Sequence, residues 1–183
     1  MQRSIVDRLI STMGAVIAVG LLAASGALFY AHQFIHSQVY RQLSAEAITF
    51  PASNSAGLNA IPAADKTIIS KYAGQQLTTG AQAEAFADHY IAVHLKEISG
   101  GKTYAQLSTA SIANPSDQKL AAETQTVFRG ETLRGLLLNA YAFDTMATVA
   151  SYAAYGALVA GVVLLILAVL GFWHAGLAAA KRR

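Results

Sequence analysis

No cysteine occurs among the 183 residues, so disulfides, thiol nucleophiles and cysteine-held metal or iron–sulfur centres are excluded. Charge is scarce: Asp, Glu, Lys and Arg make up 13% of the chain, where a soluble domain carries about 25%. The scarcity is concentrated. None of the four occurs from Leu9 to Tyr40, nor in the thirty-six residues from Thr145 to Ala180. Proline is absent from both stretches, its three copies being Pro51, Pro62 and Pro115. A charge-free, proline-free run longer than about 20 apolar residues is what a bilayer-spanning helix requires. The mean hydropathy of +0.40 agrees.

The pattern predicts an all-α fold: two transmembrane helices, hairpin-like, with a mostly helical extracytoplasmic insert. The expected divisions are a cytoplasmic N-terminus at 1–8, spans at 9–31 and 149–173, the insert at 32–148, and a basic cytoplasmic tail at 174–183. A cleaved signal peptide is the competing reading of the first span, because AASGA at 23–27 offers small residues to a peptidase. The apolar run continues through Leu28, Phe29 and Phe34, which favours an uncleaved anchor. Orientation follows from basic residues: Arg3 and Arg8 at one end, Lys181, Arg182 and Arg183 at the other. The positive-inside rule then puts both termini in the cytoplasm of a two-pass plasma-membrane protein. Residues 41–144 hold eight Lys/Arg against nine Asp/Glu, which is no nucleic-acid-binding charge layout.

Small residues recur at helical spacing in both spans. Ala153, Ala157 and Gly161 stand four apart in the second; Ala15, Ala23 and Ala27 fall on one such row in the first. Small side chains let backbones approach closely, so these residues are the expected helix-packing positions.

Between the spans the first helix is expected to continue to Phe50-Pro51, followed by a Ser/Asn/Gly/Pro loop over 52–63 and a short helix from Asp65. A stronger helix covers 82–99 and stops at Gly100-Gly101. Residues 102–107 read as a turn or brief extended piece. Asn114 then caps a last helix with Pro115 in its first turn and Asp117 near the positive end of its dipole. From there no proline interrupts the chain, so one helix of some 65 residues is expected, roughly 100 Å at 1.5 Å per residue.

Chemistry-bearing residues are few. His32 and His36, four apart on one helix face, are the weak metal candidates, the nearest carboxylate in sequence being Glu46. His89 and His94 diverge around their helix. Gly100-Gly101-Lys102-Thr103 mimics the end of a phosphate loop, but Lys96 stands where the upstream glycine belongs and a helix precedes it. No cofactor and no enzymatic activity are expected. A ligand pocket within 50–115 would be lined by Tyr72, Phe86, Tyr90 and Tyr104.

At GGKTYAQL, Gly100 to Leu107, the chain resembles a family of small actinobacterial two-span membrane proteins of unassigned function. The helix 82–99, the segment Asn139-Ala140-Tyr141-Ala142-Phe143 and the extended ITFP at 48–51 have counterparts there, so the likeness spans 46–173. Some members carry an automatically assigned ring-opening dioxygenase label. Such an enzyme needs two histidines and a carboxylate around iron, a set the sequence does not display. The resemblance implies a non-catalytic accessory or scaffolding subunit of a larger membrane complex, with the respiratory supercomplexes of that bacterial group as the analogy. Its partners would be the lipid bilayer and other membrane-protein subunits. The alternative is an extracytoplasmic ligand-binding or sensory membrane protein that signals through a partner.

Overall fold

A computed structural model describes residues 3–180. The termini, with the topology residues Lys181, Arg182 and Arg183, lie outside the described residues, as does the side chain of Arg3. Among the described residues the chain is helical, with no strand and one isolated β-bridge, Thr49 to Gln76. The helices are α1 (Arg3–Ala45), α2 (Ala56–Asn59), α3 (Ala63–Ile69), α4 (Gly80–Phe86), α5 (Ala92–Ile98), α6 (Tyr104–Ala113) and α7 (Gln118–Ala180). Two of them, α1 and α7, are long and apolar enough to cross a membrane. The chain divides into two compact units: an apolar helix pair from 3–34 and 146–180, and a helical unit, Ile35–Thr145.

In the apolar pair the seam is built from small residues. Ser11, Ala18 and Ser25 of α1 are buried, and so are Ala147, Ala154, Gly161, Ala168 and Ala175 of α7. All eight fall seven apart on their own helix, not four. Four residues advance a helix by about 40° beyond a full turn, whereas seven fall only about 20° short of two turns. A four-residue row therefore winds off the interface within a few turns, and a seven-residue row stays on it. This is what separates the expected positions: Gly161 is buried, Ala15 and Ala157 are half-buried, and Ala23, Ala27 and Ala153 are exposed.

The contacts fall in one antiparallel register. A Cβ on Gly161 would touch Leu22 at 3.0 Å and the Ala18 carbonyl at 3.3 Å, so only glycine fits without displacement. Ser25 donates its hydroxyl to the Ala154 carbonyl at 2.9 Å, and His32 donates Nδ1–H to the Ala147 carbonyl at 2.8 Å. Phe29 meets Tyr155 edge-on, centroids 4.9 Å apart.

In the helical unit, α1 ends at Ala45 and Ala47 takes a left-handed turn, φ 52°. The chain then runs extended, Phe50 N–H donating to Gln75 O and Leu77 N–H to Ile48 O. This pins Phe50 and Leu77 inward, where both are fully buried with Leu58 and Ile69. Val39 and Leu43 of α1, Phe86 and Ile91 of the middle helices and Leu137 of α7 complete that core. Thr79 and Gln82 form a reciprocal capping box at the start of α4. Between α4 and α5 one turn, Ala87–Ile91, is widened to a π-helix.

Several boundaries differ from expectation: α1 stops at Ala45 instead of running to Phe50-Pro51, and the loop expected over 52–63 holds the short helix α2. Residues 102–107 are not a turn: Thr103 caps α6 with a second Thr-x-x-Gln box, Gln106 N–H to Thr103 Oγ1 at 3.3 Å and Thr103 N–H to Gln106 Oε1 at 2.9 Å. Asn114 closes α6 instead of opening α7, its N–H bonding to Ala110 O. The cap of α7 is Asp117, whose carboxylate accepts the Leu120 N–H at 2.9 Å. The stop at Gly100-Gly101 has its physical basis in φ values of 58° and 80°, with Gly101 N–H reaching the Lys96 carbonyl at 2.8 Å. From Asp117 on, α7 runs for 63 residues without a break.

Shape outweighs polarity in the seam. Ala154→Leu should weaken the helix pair by about 1–3 kcal/mol through overpacking, against about 0.6 kcal/mol for Ser25→Ala. Reversible unfolding in detergent micelles, followed by Trp173 fluorescence, measures both; equal losses would contradict the ranking.

Candidate functional site

The polar side chains that could carry chemistry are drawn into pairs that fasten helices. Asp144, late in α7, is the centre of one. Its Oδ1 lies 2.9 Å from His36 Nδ1 of α1, and its Oδ2 accepts the Gly80 N–H at 3.2 Å. Gly80 opens α4, and a Cβ there would overlap the Asp144 side chain. Three helices thus converge on one carboxylate that is largely covered, while His36 is half exposed.

A second group lies along the π turn. His89 Nδ1 meets Asp65 Oδ1 of α3 at 2.7 Å. The neighbouring Asp88 faces the opposite way and holds Arg134 of α7 through Nε at 3.2 Å and Nη2 at 2.8 Å. These bonds to Asp88 raise the Arg134 guanidinium pKa above its ordinary value, so the cation is permanent. His94 donates Nδ1–H to the Tyr90 carbonyl at 2.7 Å, and its ring packs at a tilt against the Tyr90 ring, centroids 4.4 Å apart. Consecutive residues of the π turn face different partners: Asp88 to α7, His89 to α3.

Of the metal candidates, His36 finds a carboxylate the sequence did not point to, 108 residues away at Asp144. His32 is spent on a backbone carbonyl. Among the described residues no group of three His, Asp or Glu is arranged to hold a metal. Of the four rings expected around a ligand, three pack in one cluster with Phe50 and the fourth pairs with Phe128. Phe86 lies between Phe50, which it meets edge-on at 5.2 Å, and Tyr90, tilted at 4.8 Å; Tyr72 lies against Phe50, and Tyr104 pairs with Phe128 at 5.3 Å. Three of them are therefore core or core-edge residues.

A shallow hollow of 160 Å³ lies beside the Gly-Gly turn, with Lys96, Lys102, Ser99 and Glu131 around it. The turn's amides are committed within the chain: Gly100 to Glu97 O, Gly101 to Lys96 O, Lys102 to Ser99 O and Thr103 to Gln106. They leave no cradle for a phosphate. Arg8, the described topology residue, is exposed, and its carbonyl accepts the Thr12 hydroxyl at 2.8 Å.

Comparison with protein-family models, curated proteins and solved structures finds no match.

Gly80→Ala should destabilise the helical unit by about 1–3 kcal/mol, because a methyl must displace Asp144 and break the Gly80 N–H bond. Arg134→Ala, removing a partly exposed pair, should cost under about 1 kcal/mol. Denaturant titration by circular dichroism reads both, and a larger loss for Arg134→Ala would refute the assignment of the tighter constraint to Asp144.

Proposed function

We propose that this chain is a two-pass plasma-membrane protein with both termini cytoplasmic and residues 35–145 on the outer side. In this reading it is a non-catalytic accessory subunit of a larger bacterial membrane complex. The actinobacterial resemblance at Gly100–Leu107 extends the reading to a complex of the respiratory-supercomplex kind. The observation that carries the proposal is an uncovered apolar stripe on α7 within the helical unit. Leu133, Leu136 and Phe143 fall on one helix face, and Leu136 and Phe143 are 62% and 56% exposed. Scattered apolar residues are normal on any surface. A row at helical spacing is what a helix presents to another helix.

The polar groups support the same reading. Asp65, Asp88, Asp144, His36, His89 and Arg134 are engaged with one another or with backbone. They act as fasteners of a fixed shape, which suits a scaffold. The stripe would meet a helix of another subunit.

The lack of cysteine makes the test direct. Ser53→Cys should react with an impermeant maleimide on intact cells, and Leu177→Cys only after lysis; the reverse pattern would overturn the orientation. Leu136→Cys carrying a photocrosslinker should capture a different membrane polypeptide, identified by mass spectrometry. Migration as a monomer or homodimer after gentle extraction, with no heterologous crosslink, would overturn the accessory-subunit reading.

A further inference from the structure

The uncharged run of α7, Thr145 to Ala180, is about 54 Å long at 1.5 Å per residue. The hydrocarbon of a bilayer is about 30 Å thick. Composition therefore leaves open which part of the run lies in lipid, and the exposed side chains decide it. Large aromatic rings stand outward at two levels of the apolar helix pair. At one level Tyr152 of α7 is 71% exposed and Tyr30 of α1 is 73% exposed. Phe34 stacks on Tyr30 with centroids 6.3 Å apart, and Tyr155 is exposed beside Phe29. The Ser25 bond to Ala154 and the His32 bond to Ala147 put Tyr30 and Tyr152 within about one turn of each other along the pair. At the other level Trp173, the chain's single tryptophan, is 67% exposed beside Phe172. Arg8 lies level with it, one turn before Ser11, the residue that meets Gly171.

From this geometry we infer that the surface between the two levels is the lipid-facing belt of the protein, with one edge of the hydrocarbon at Tyr30 and Tyr152 and the other at Arg8 and Trp173. The inference rests on the two-pass reading given above and adds the depth of the pair, which takes Thr145 to Ser151 out of the hydrocarbon. Tyr152 and Trp173 are twenty-one residues apart, about 32 Å, and Arg8 and Tyr30 twenty-two, about 33 Å. Both match the hydrocarbon thickness at a tilt of about 20°. Tyrosine and tryptophan, apolar rings with one polar atom, settle at that boundary. Side chains on a helix lean toward its N-terminus, which carries the Tyr152 and Tyr155 rings toward the outer headgroups. Between Tyr155 and Trp173 the helix α7 has no polar side chain, and between Arg8 and Tyr30 the helix α1 has three hydroxyls. Ser11 is buried in the seam, Thr12 donates to the Arg8 carbonyl and Ser25 to the Ala154 carbonyl. Other depths fit worse. Two turns toward Thr145, the hydrocarbon would enclose the hydroxyls of Ser151, Thr148 and Thr145 and leave exposed Val169, Leu170, Phe172 and Trp173 in water. Two turns the other way, it would draw in Arg8 and Asp7, and ionised groups there are costly. Met146 and Val149, each 60% exposed, then stand in the headgroup layer instead of among lipid tails.

The single tryptophan is its own depth probe. In proteoliposomes of the full, unsubstituted chain, phosphatidylcholine brominated near the glycerol should quench Trp173 more strongly than the same lipid brominated near the methyl end of its acyl chains. In a Trp173→Phe background, Tyr152→Trp should show the same order of quenching and Val163→Trp, midway between the levels, the reverse order. Stronger quenching of Trp173 by the deep bromines, or its escape from both lipids while Val163→Trp is quenched, would overturn the inferred depth and leave two spans in place. So would a Tyr152→Trp quenched most by the deep bromines. Quenching of none of the three by either lipid would instead refute the bilayer reading beneath it.

Discussion

How near two apolar helices can approach is the constraint on which the helix pair depends. In a lipid environment there is no hydrophobic drive to press one helix on another, so contact must come from packing and from polar groups that find backbone. The residues seven apart on α1 and α7 are Ala, Gly and Ser almost throughout. Bulk at any of them would move the backbones apart and put the Ala154 and Ala147 carbonyls out of reach of Ser25 and His32. The hydrogen bonds are thus consequences of the small residues. They hold the register that side-chain size permits.

The helical unit solves a different problem. Its middle helices are short, and none could stand alone in water. Each end is closed by a local device: the Thr79 and Thr103 boxes, the Gly100-Gly101 turn, the Asp117 cap. The aromatic run Tyr72, Phe50, Phe86 and Tyr90 then ties the segments to Val39 and Leu43 of α1 and Leu137 of α7. Polar pairing adds direction. Asp144 fixes where α4 begins, and Asp88 and His89 set the turn between α3 and α7.

Much of this was legible in the residues. Charge-free runs announced the two long apolar helices, and glycines with positive φ marked the end of α5 where Gly100-Gly101 stands. The seam was only half legible. Alanine is so frequent in both runs that a four-residue row exists by composition, and only Gly161 lies on both patterns. Asn114-Pro115 drew the start of α7 three residues too early because Asp117 competes for the same role, and the Thr103-x-x-Gln106 box was in plain view. His36 and Asp144 could not be joined by reading, being on different helices 108 residues apart. The π turn has no sequence signature at all. Nothing in Ala87–Ile91 departs from ordinary helix-forming residues.

That turn carries a consequence for how the chain can vary. A π turn holds one residue more than the α-helical path it replaces, and each helical residue rotates the remainder of its helix by about 100°. Asp88 reaches α7 and His89 reaches α3 from within it, while beyond it Leu95 lies against Gly130, where a methyl would already collide. Losing one residue between 87 and 91 would restore a regular helix and swing one of these sets away from its partners. Substitutions there disturb single contacts, but a change in count breaks the phase between two faces. Along this stretch length, more than composition, is the inherited quantity.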